Sequence, residues 1–242
     1  MLGGTTEAYA LAASLAGDAS IRTITSLAGR TTSPRLPQGE VRIGGFGGAE
    51  GLAAYLLTQK IDATIDATHP FSARMGWNAA AAAKTAQVKL LRLARPAWQA
   101  GPGDHWIDVG DWDEAVSVVA RESRRVLLAI GRQELEPFAA ITDVFFLIRS
   151  VEAPEPMPGF ANAELLLSRG PFDATSERAL IEAQNIDTIV CKNSGGSVVD
   201  GKLKAARGLG LRMVMKRRPA RPEVASVATV DDAVAWVRAL KR

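Results

Sequence analysis

Along the chain, apolar and polar positions switch repeatedly between a helical and a strand period. Glu7–Leu15 carries apolar side chains at helical spacing, Ile21–Leu27 reads as a strand, Glu50–Gln59 as a helix and Ala63–Ala67 as a strand. The Ala-rich stretch Ser72–Ala86 predicts a further helix, and Val88–Leu93 a further strand. Such alternation implies parallel strands joined by crossover helices that pack on the sheet. Arg95–Gly103, with two prolines and two glycines, breaks the rhythm and reads as a linker.

A second series follows. Asp111 and Glu114 have the spacing of a helix-capping pair, and the apolar run Val126–Ile130 is a strand. Strands are expected near Val144–Ile148 and Glu164–Ser168, a helix after Asp173, and strands at Thr188–Val190 and Leu211–Met215. Thr229 with Asp232 opens a last amphipathic helix that runs to Leu240. The expected fold class is therefore α/β: two Rossmann-like domains, residues 1–95 and 104–242, with mostly parallel sheets, a linker over 96–103 and a cleft between them. One feature departs from that scheme. Only Met1 and Leu2 precede the first glycine turn, where a full apolar strand is the rule, so the sequence either starts inside that strand or has a very short one.

Composition narrows the picture. The chain has 242 residues, 47% hydrophobic and 23% charged, enough for two cores and unlike a disordered or fibrous protein. No apolar run reaches the length of a membrane span, and the Ala-rich start at Ala8–Ala16 lacks a basic leader, so a cytoplasmic protein without a membrane partner is expected. One cysteine, Cys191, forms no internal disulfide, and with only His69 and His105 beside it no metal site is expected. A net charge of +3 is too small for a dedicated nucleic-acid binder and suits an anionic small molecule. The basic run Lys216–Arg221 is either a solvated loop or a ligand contact.

Candidate chemistry gathers at strand ends. Gly3, Gly4, Thr5, Thr6 and Glu7 lead straight into a helix, so the glycines admit a phosphate while the helix start offers free amides and the positive end of its dipole; a pyrophosphate fits. At the end of the second strand, Ser26, Gly29 and Arg30 stand where an acid would select the free ribose of NAD. Arg30 and Ser26 offer donors instead, which favours the 2′-phosphate of NADP. Gly44, Gly45, Phe46 and Gly47 form a glycine loop around one aromatic, able to lie against a flat ligand. Ala67 and Thr68 follow a strand and bring in His69, which either orients a nicotinamide, supplies a proton or is a structural histidine held by its turn. In the second half, Lys192, Asn193, Ser194 and Gly195 combine a cation, an amide, a hydroxyl and exposed backbone in one turn, an anion cradle. Arg132 and Arg169 occupy equivalent strand ends, and Cys191 reads as an inert strand thiol.

Taken together, Gly-Gly-Thr-Thr-Glu-Ala at 3–8, Ser-Leu-Ala-Gly-Arg at 26–30, Gly-Gly-Phe-Gly-Gly at 44–48, Asp-Ala-Thr-His-Pro-Phe at 66–71 and Lys-Asn-Ser-Gly-Gly at 192–196 resemble the precorrin-6A reductases of cobalamin biosynthesis. Arg95-Pro96 and Arg218-Pro219 add to the likeness, which spans nearly the whole chain. The resemblance implies an NADPH-dependent oxidoreductase that reduces one double bond of the precorrin-6A macrocycle to give precorrin-6B, with no flavin and no metal. It implies residues 1–95 as the NADPH-binding domain and 104–242 as the substrate domain. The partner is then a polycarboxylated tetrapyrrole, with neighbouring pathway enzymes as further candidates, and Arg132, Arg169, Lys192, Asn193, Ser194 and Gly195 become the residues that bind its carboxylates. His69 is the leading proton donor, with solvent as its rival. A non-catalytic NADP-binding sensor and another NADP-dependent reductase of a small anionic substrate stay open. A short-chain dehydrogenase does not fit, because Tyr9 and Tyr55 are followed four positions on by Ala13 and Gln59 where that class carries Lys.

Overall fold

The computed structural model describes residues 1–29, 35–196 and 200–240. Its first elements are α1 (Thr6–Leu15), β1 (Ile24–Leu27), β2 (Glu40–Ile43), α2 (Ala49–Thr58), β3 (Ala63–Asp66), α3 (Ala73–Ala86) and β4 (Lys89–Leu93). Then come β5 (His105–Val109), α4 (Trp112–Glu122), β6 (Arg125–Ala129), α5 (Glu136–Ala139), β7 (Phe145–Ser150), β8 (Ala163–Leu167) and α6 (Ala174–Ala183). The last are β9 (Thr188–Lys192), α7 (Gly201–Leu209), β10 (Arg212–Lys216), β11 (Ser226–Val227) and α8 (Val230–Ala239). Side-chain caps fix several helix starts. Asp111 accepts from Glu114 N, Asp173 from Ser176 N and Thr229 from Asp232 N, each satisfying an amide that the first turn leaves unpaired.

The chain divides into two compact units, Met1–Pro96 with Pro219–Arg242, and Ala97–Arg218. The expected second domain of 104–242 therefore runs too far at its C-terminal end. Residues 219–240 belong with the first unit because β11 pairs with β4, Ser226 to Arg92 and Val227 to Leu93, and α8 buries Ala233 and Val234 in the same core as Leu11 and Leu15 of α1. The linker is also shorter than expected, since residues 97–103 pack as part of the second unit.

In the first unit Leu2 stands in the place of an opening strand. Leu2 bridges in parallel to Ser26 on one side and to Asp66 on the other, through Leu2 N to Ile65 O, Ala67 N to Leu2 O, Ser26 N to Met1 O and Gly3 N to Ser26 O, all within 2.8–2.9 Å. One residue thus joins β2-β1 to β3-β4-β11 in a continuous parallel order, β2-β1-Leu2-β3-β4-β11. Helices α1 and α8 cover one face and α2 and α3 the other.

The second unit has six parallel strands in the order β5-β10-β9-β6-β7-β8. Its central strands are apolar on both faces, as a parallel sheet covered on both sides requires: Val126 and Leu128 pack under α4 and α5, and Leu127 under α6 and α7. Counted from the strand that occupies the centre, both sheets run 3-2-1-4-5 and then add an edge strand. In the first unit that edge is β11, which follows the second unit in sequence; in the second it is β5, which precedes the rest of its sheet.

Between the sheet and α6 the second unit carries a buried ion pair. Glu177 is 2% exposed and Arg149 8%, joined by two hydrogen bonds, with Phe172 over the guanidinium at 4.4 Å. Removing one partner of such a pair strands a buried charge. Glu177→Ala is expected to cost about 3–5 kcal/mol, read as a lower urea midpoint at unchanged slope.

Candidate functional site

In open parallel sheets of this kind ligands bind beyond the carboxyl ends of the strands, where the strand order reverses. In the first unit that point lies between Leu2 and β3. Two segments leave it side by side, Gly3–Thr6 and Ala67–His69. Thr5 ties them together: its hydroxyl donates to Ala67 O at 2.7 Å and accepts from Ala8 N at 3.2 Å as the cap of α1. Gly3 is required by packing, since a Cβ there would stand 2.8 Å from Thr25 Cγ2; Gly4, at φ +110°, faces open space. The amides of Gly4, Thr5, Thr6 and Glu7 find no acceptor among the described residues. A dinucleotide pyrophosphate fits this turn, which offers clustered donors, the positive end of α1 and no side chain in the way. Glu7 would oppose an anion, but Arg95 pairs with its carboxylate at 2.8 Å. Thr5, Glu7, Thr68, Leu93 and Arg95 line a small cavity at this edge.

The loop after β3 is built from its own hydrogen bonds. Asp66 Oδ1 accepts from Thr68 N at 3.2 Å and Thr68 Oγ1 at 2.7 Å. His69 Nδ1 accepts from Phe71 N at 3.2 Å, so in the neutral ring the proton resides on Nε2. The imidazole is partly exposed.

Other expected cofactor residues sit less freely than the sequence suggests. Ser26 is buried within β1, 9% exposed, with its backbone paired to Leu2. Gly29 adopts φ +70° beside Ile43, and Arg30 lies outside the described residues. Gly44, Gly47 and Gly48 all have positive φ, but Phe46 does not offer an open ring. Arg42 stacks on it at 3.9 Å, Tyr55 meets it edge-on at 5.2 Å, and it packs on the core around Leu52 and Leu56. Arg42 also donates to Gly44 O at 2.6 Å and Gly45 O at 2.7 Å, so this loop is shaped by a cation that the strand pattern did not single out.

The second unit repeats the reversal between β6 and β9. Gly131 and Arg132 leave β6, and Lys192, Asn193, Ser194 and Gly195 end β9. Lys192 Nζ pairs with Glu134, which also accepts from Trp112 Nε1 at 3.1 Å. Lys216, at the end of β10, stands over the Trp112 ring at 4.2 Å, and burial lowers its pKa from the usual lysine range, with Lys192 opposing and Glu134 supporting its charge. Arg132 pairs with Glu152 at 2.8 Å. Arg169 is exposed at the end of β8, two strands from the reversal. Asn193 differs most from expectation. Its Oδ1 accepts from Trp98 N at 2.8 Å and its Nδ2 donates to Trp98 O at 2.9 Å, so its amide holds a backbone segment. Arg218 donates to Asn193 O at 2.9 Å and Ser194 O at 3.0 Å.

Residues 1–238 match the family model described as precorrin-6x reductase CbiJ/CobK. The chain belongs to that family. It is 47% identical to a precorrin-6A reductase of Rhodococcus erythropolis, over all of this chain and 98% of the relative, and 44% identical to one of Mycobacterium tuberculosis, over 99% and 97%. A cobalt-precorrin-6A reductase of Priestia megaterium is 30% identical over 90% and 89%. Among solved structures, a CobK precorrin-6A reductase superposes with a TM-score of 0.91 at 38% identity, covering 99% of this chain and 95% of that one.

In this member of the reductase family, Glu134 and Trp98 escaped the sequence reading because each acts through a partner distant in sequence, Lys192 and Asn193, whereas Arg42 holds its own neighbours Gly44 and Gly45. In the basic run Lys216–Arg221, Lys216, Arg218 and Arg221 each have a partner within their own unit, while Arg217 is exposed. Cys191 is 1% exposed, with Met215 Sδ at 3.6 Å, and burial pushes its thiol up to about 11. The neutral thiol is thus the form that folding favours; its contribution is complete below the unfolded value near 9 and is lost as pH rises through about 11. Native protein at pH 8 should leave a disulfide reagent such as DTNB unreduced, and one thiol per chain should react once urea unfolds it.

Proposed function

We propose that this chain uses NADPH to reduce one double bond of the precorrin-6A macrocycle, giving precorrin-6B, with no flavin or metal. The observation that carries this reading is the first unit's strand reversal, where a glycine turn with free amides and the His69 loop emerge together in a chain matched to this reductase family over residues 1–238. Relatives named for the cobalt-free substrate are 41–47% identical and those named for the cobalt form 25–30%, which favours precorrin-6A over cobalt-precorrin-6A.

Gly3, Gly4, Thr5 and Thr6 hold the pyrophosphate through backbone amides, and Arg95 screens Glu7 from it. Ser26 and Gly29 shape the ribose end, and Arg30 meets the 2′-phosphate. Gly44, Gly45, Phe46 and Gly47, fixed by Arg42, close that side, and Ala67 and Thr68 border the nicotinamide end. When bound, NADPH supplies the hydride. His69 delivers the accompanying proton from Nε2, the ring nitrogen that Phe71 leaves carrying hydrogen. In the second unit Arg132, Arg169 and Lys192 bind acetate and propionate arms, while Asn193, Ser194 and Gly195 keep the Lys192 loop in shape. Most of the rate comes from holding the reactants together.

Purified protein mixed with NADPH and precorrin-6A should consume NADPH only when both are present, and NADH should substitute poorly. Binding of NADPH without consumption would favour the non-catalytic sensor. Lys192→Met should raise the substrate KM roughly tenfold or more, the loss expected for a hydrogen bond to a charged group, leave the NADPH Kd unchanged and flatten the salt dependence of substrate binding. Lost NADPH binding with retained tetrapyrrole binding would reverse the assignment of the two units.

A further inference from the structure

The segment that rejoins the first unit at Pro219 brings a guanidinium beneath the His69 loop. Arg221 Nη2 donates to Asp66 Oδ2 at 2.5 Å and lies 3.3 Å from Thr68 Oγ1. Asp66 is 1% exposed, and its other oxygen already accepts the amide and hydroxyl of Thr68. On the far side of the loop, Arg221 fills a hollow in the first turn of α3. A Cβ at Gly76 would stand 2.4 Å from Nη2 and 2.8 Å from Cζ, so with any other residue at 76 the guanidinium would have to shift from this place.

Charge balance alone does not call for Arg221. Arg92 Nε lies 3.8 Å from the same Asp66 oxygen, while its Nη2 donates to Pro222 O at 2.8 Å. Asp66 therefore keeps a cation if Arg221 is removed. Arg221 alone of the two reaches the loop, touching Thr68 immediately before His69 and the helical turn that begins after Ser72. We propose that Arg221 is a positioning residue for His69, acting through Thr68, Asp66 and Gly76 to set the loop that carries the imidazole. The role of His69 itself rests on the function proposed above; the placement of its ring does not.

The chain has only two histidines, so imidazole proton resonances give a direct readout, with His105 of the other unit as internal control and His69→Gln as the assignment. Arg221→Gln and Gly76→Ala, which must displace the guanidinium, should each move the His69 ring resonances and leave those of His105 in place. With substrate, kcat should fall about tenfold or more, as for a displaced catalytic group, while the NADPH Kd stays within about threefold; Arg221→Lys should restore part of the loss. If Arg221→Gln does not fold, Thr68→Val, which removes only the shared hydroxyl, carries the resonance test, with no constraint on the NADPH Kd. Unchanged His69 resonances in the folded variants would overturn the proposal, as would a lowered Tm as the sole effect. A moved resonance in a protein that proves not to reduce precorrin-6A would sustain the positioning role and refute the proposed function.

Discussion

Backbone pairing around Leu2 holds the first unit together. A strand normally gains its place in a sheet through several residues on each side; here a single residue makes the parallel contact with both β1 and β3, and four hydrogen bonds close the gap between the two halves of the sheet. Because the pairing ends after one residue, the chain turns upward at once. Gly3 and Gly4 follow without a residue to spare, and the tight fit of Gly3 against Thr25 shows how little room that turn has. The same pairing lines up Asp66 with Leu2, which is why Thr5 can reach Ala67 and the two candidate loops meet.

The second unit reaches an equivalent arrangement by different means. Its strand β6 is full length, and the reversal is populated by charges: Lys192 on Glu134, Lys216 on Trp112 and Arg132 on Glu152. Two ammonium groups stand near Glu134 at this partly buried edge, and burial, with a smaller push from Lys192, lowers the pKa of Lys216 against the opposing pull of Glu134 and Asp111. An incoming carboxylate would bring charge of the opposite sign to that edge, whereas the glycine turn of the first unit offers uncharged amides. The contrast accords with a phosphate diester on one side and flexible carboxylate arms on the other.

Much of this was legible in the sequence, for identifiable reasons. The helices from Glu7, Ser72, Asp111 and Thr229 were found within one or two residues because the apolar period marks all four, and side-chain caps at Asp111 and Thr229 fix two of the starts. Strands β2 and β5 were not, since Glu40–Ile43 and His105–Val109 are sheet-edge segments with mixed polarity and weak alternation. Site residues that act through their own backbone, such as Gly3 and Gly4, carry a local signature. Asn193 and Phe46 carried a misleading one: an amide in a glycine turn suggests an anion ligand and an aromatic among glycines suggests a stacking platform, yet each is occupied by a partner far away in sequence or on another element. Residues 219–240 were misassigned because a strand of two residues, Ser226 and Val227, leaves no pattern, and nothing local tells a chain that it is returning to a sheet begun two hundred residues earlier.

That return has a structural consequence which the Asn193 amide makes concrete. The first unit completes its sheet with β11, which lies beyond the second unit in sequence, so the chain passes between units twice, after Pro96 and after Arg218; the second unit's edge strand β5 lies within its own run. Both passages begin at the same place in the second unit. Trp98 is fastened to the side chain of Asn193 through its backbone N–H and carbonyl, and Arg218 is fastened to the main-chain carbonyls of Asn193 and Ser194. On the first unit's side, Arg95 ends its passage on Glu7 at the glycine turn, and Arg221 ends the other on Asp66 below the His69 loop. The four cations and amides that secure the connections are therefore bonded to the candidate binding loops themselves.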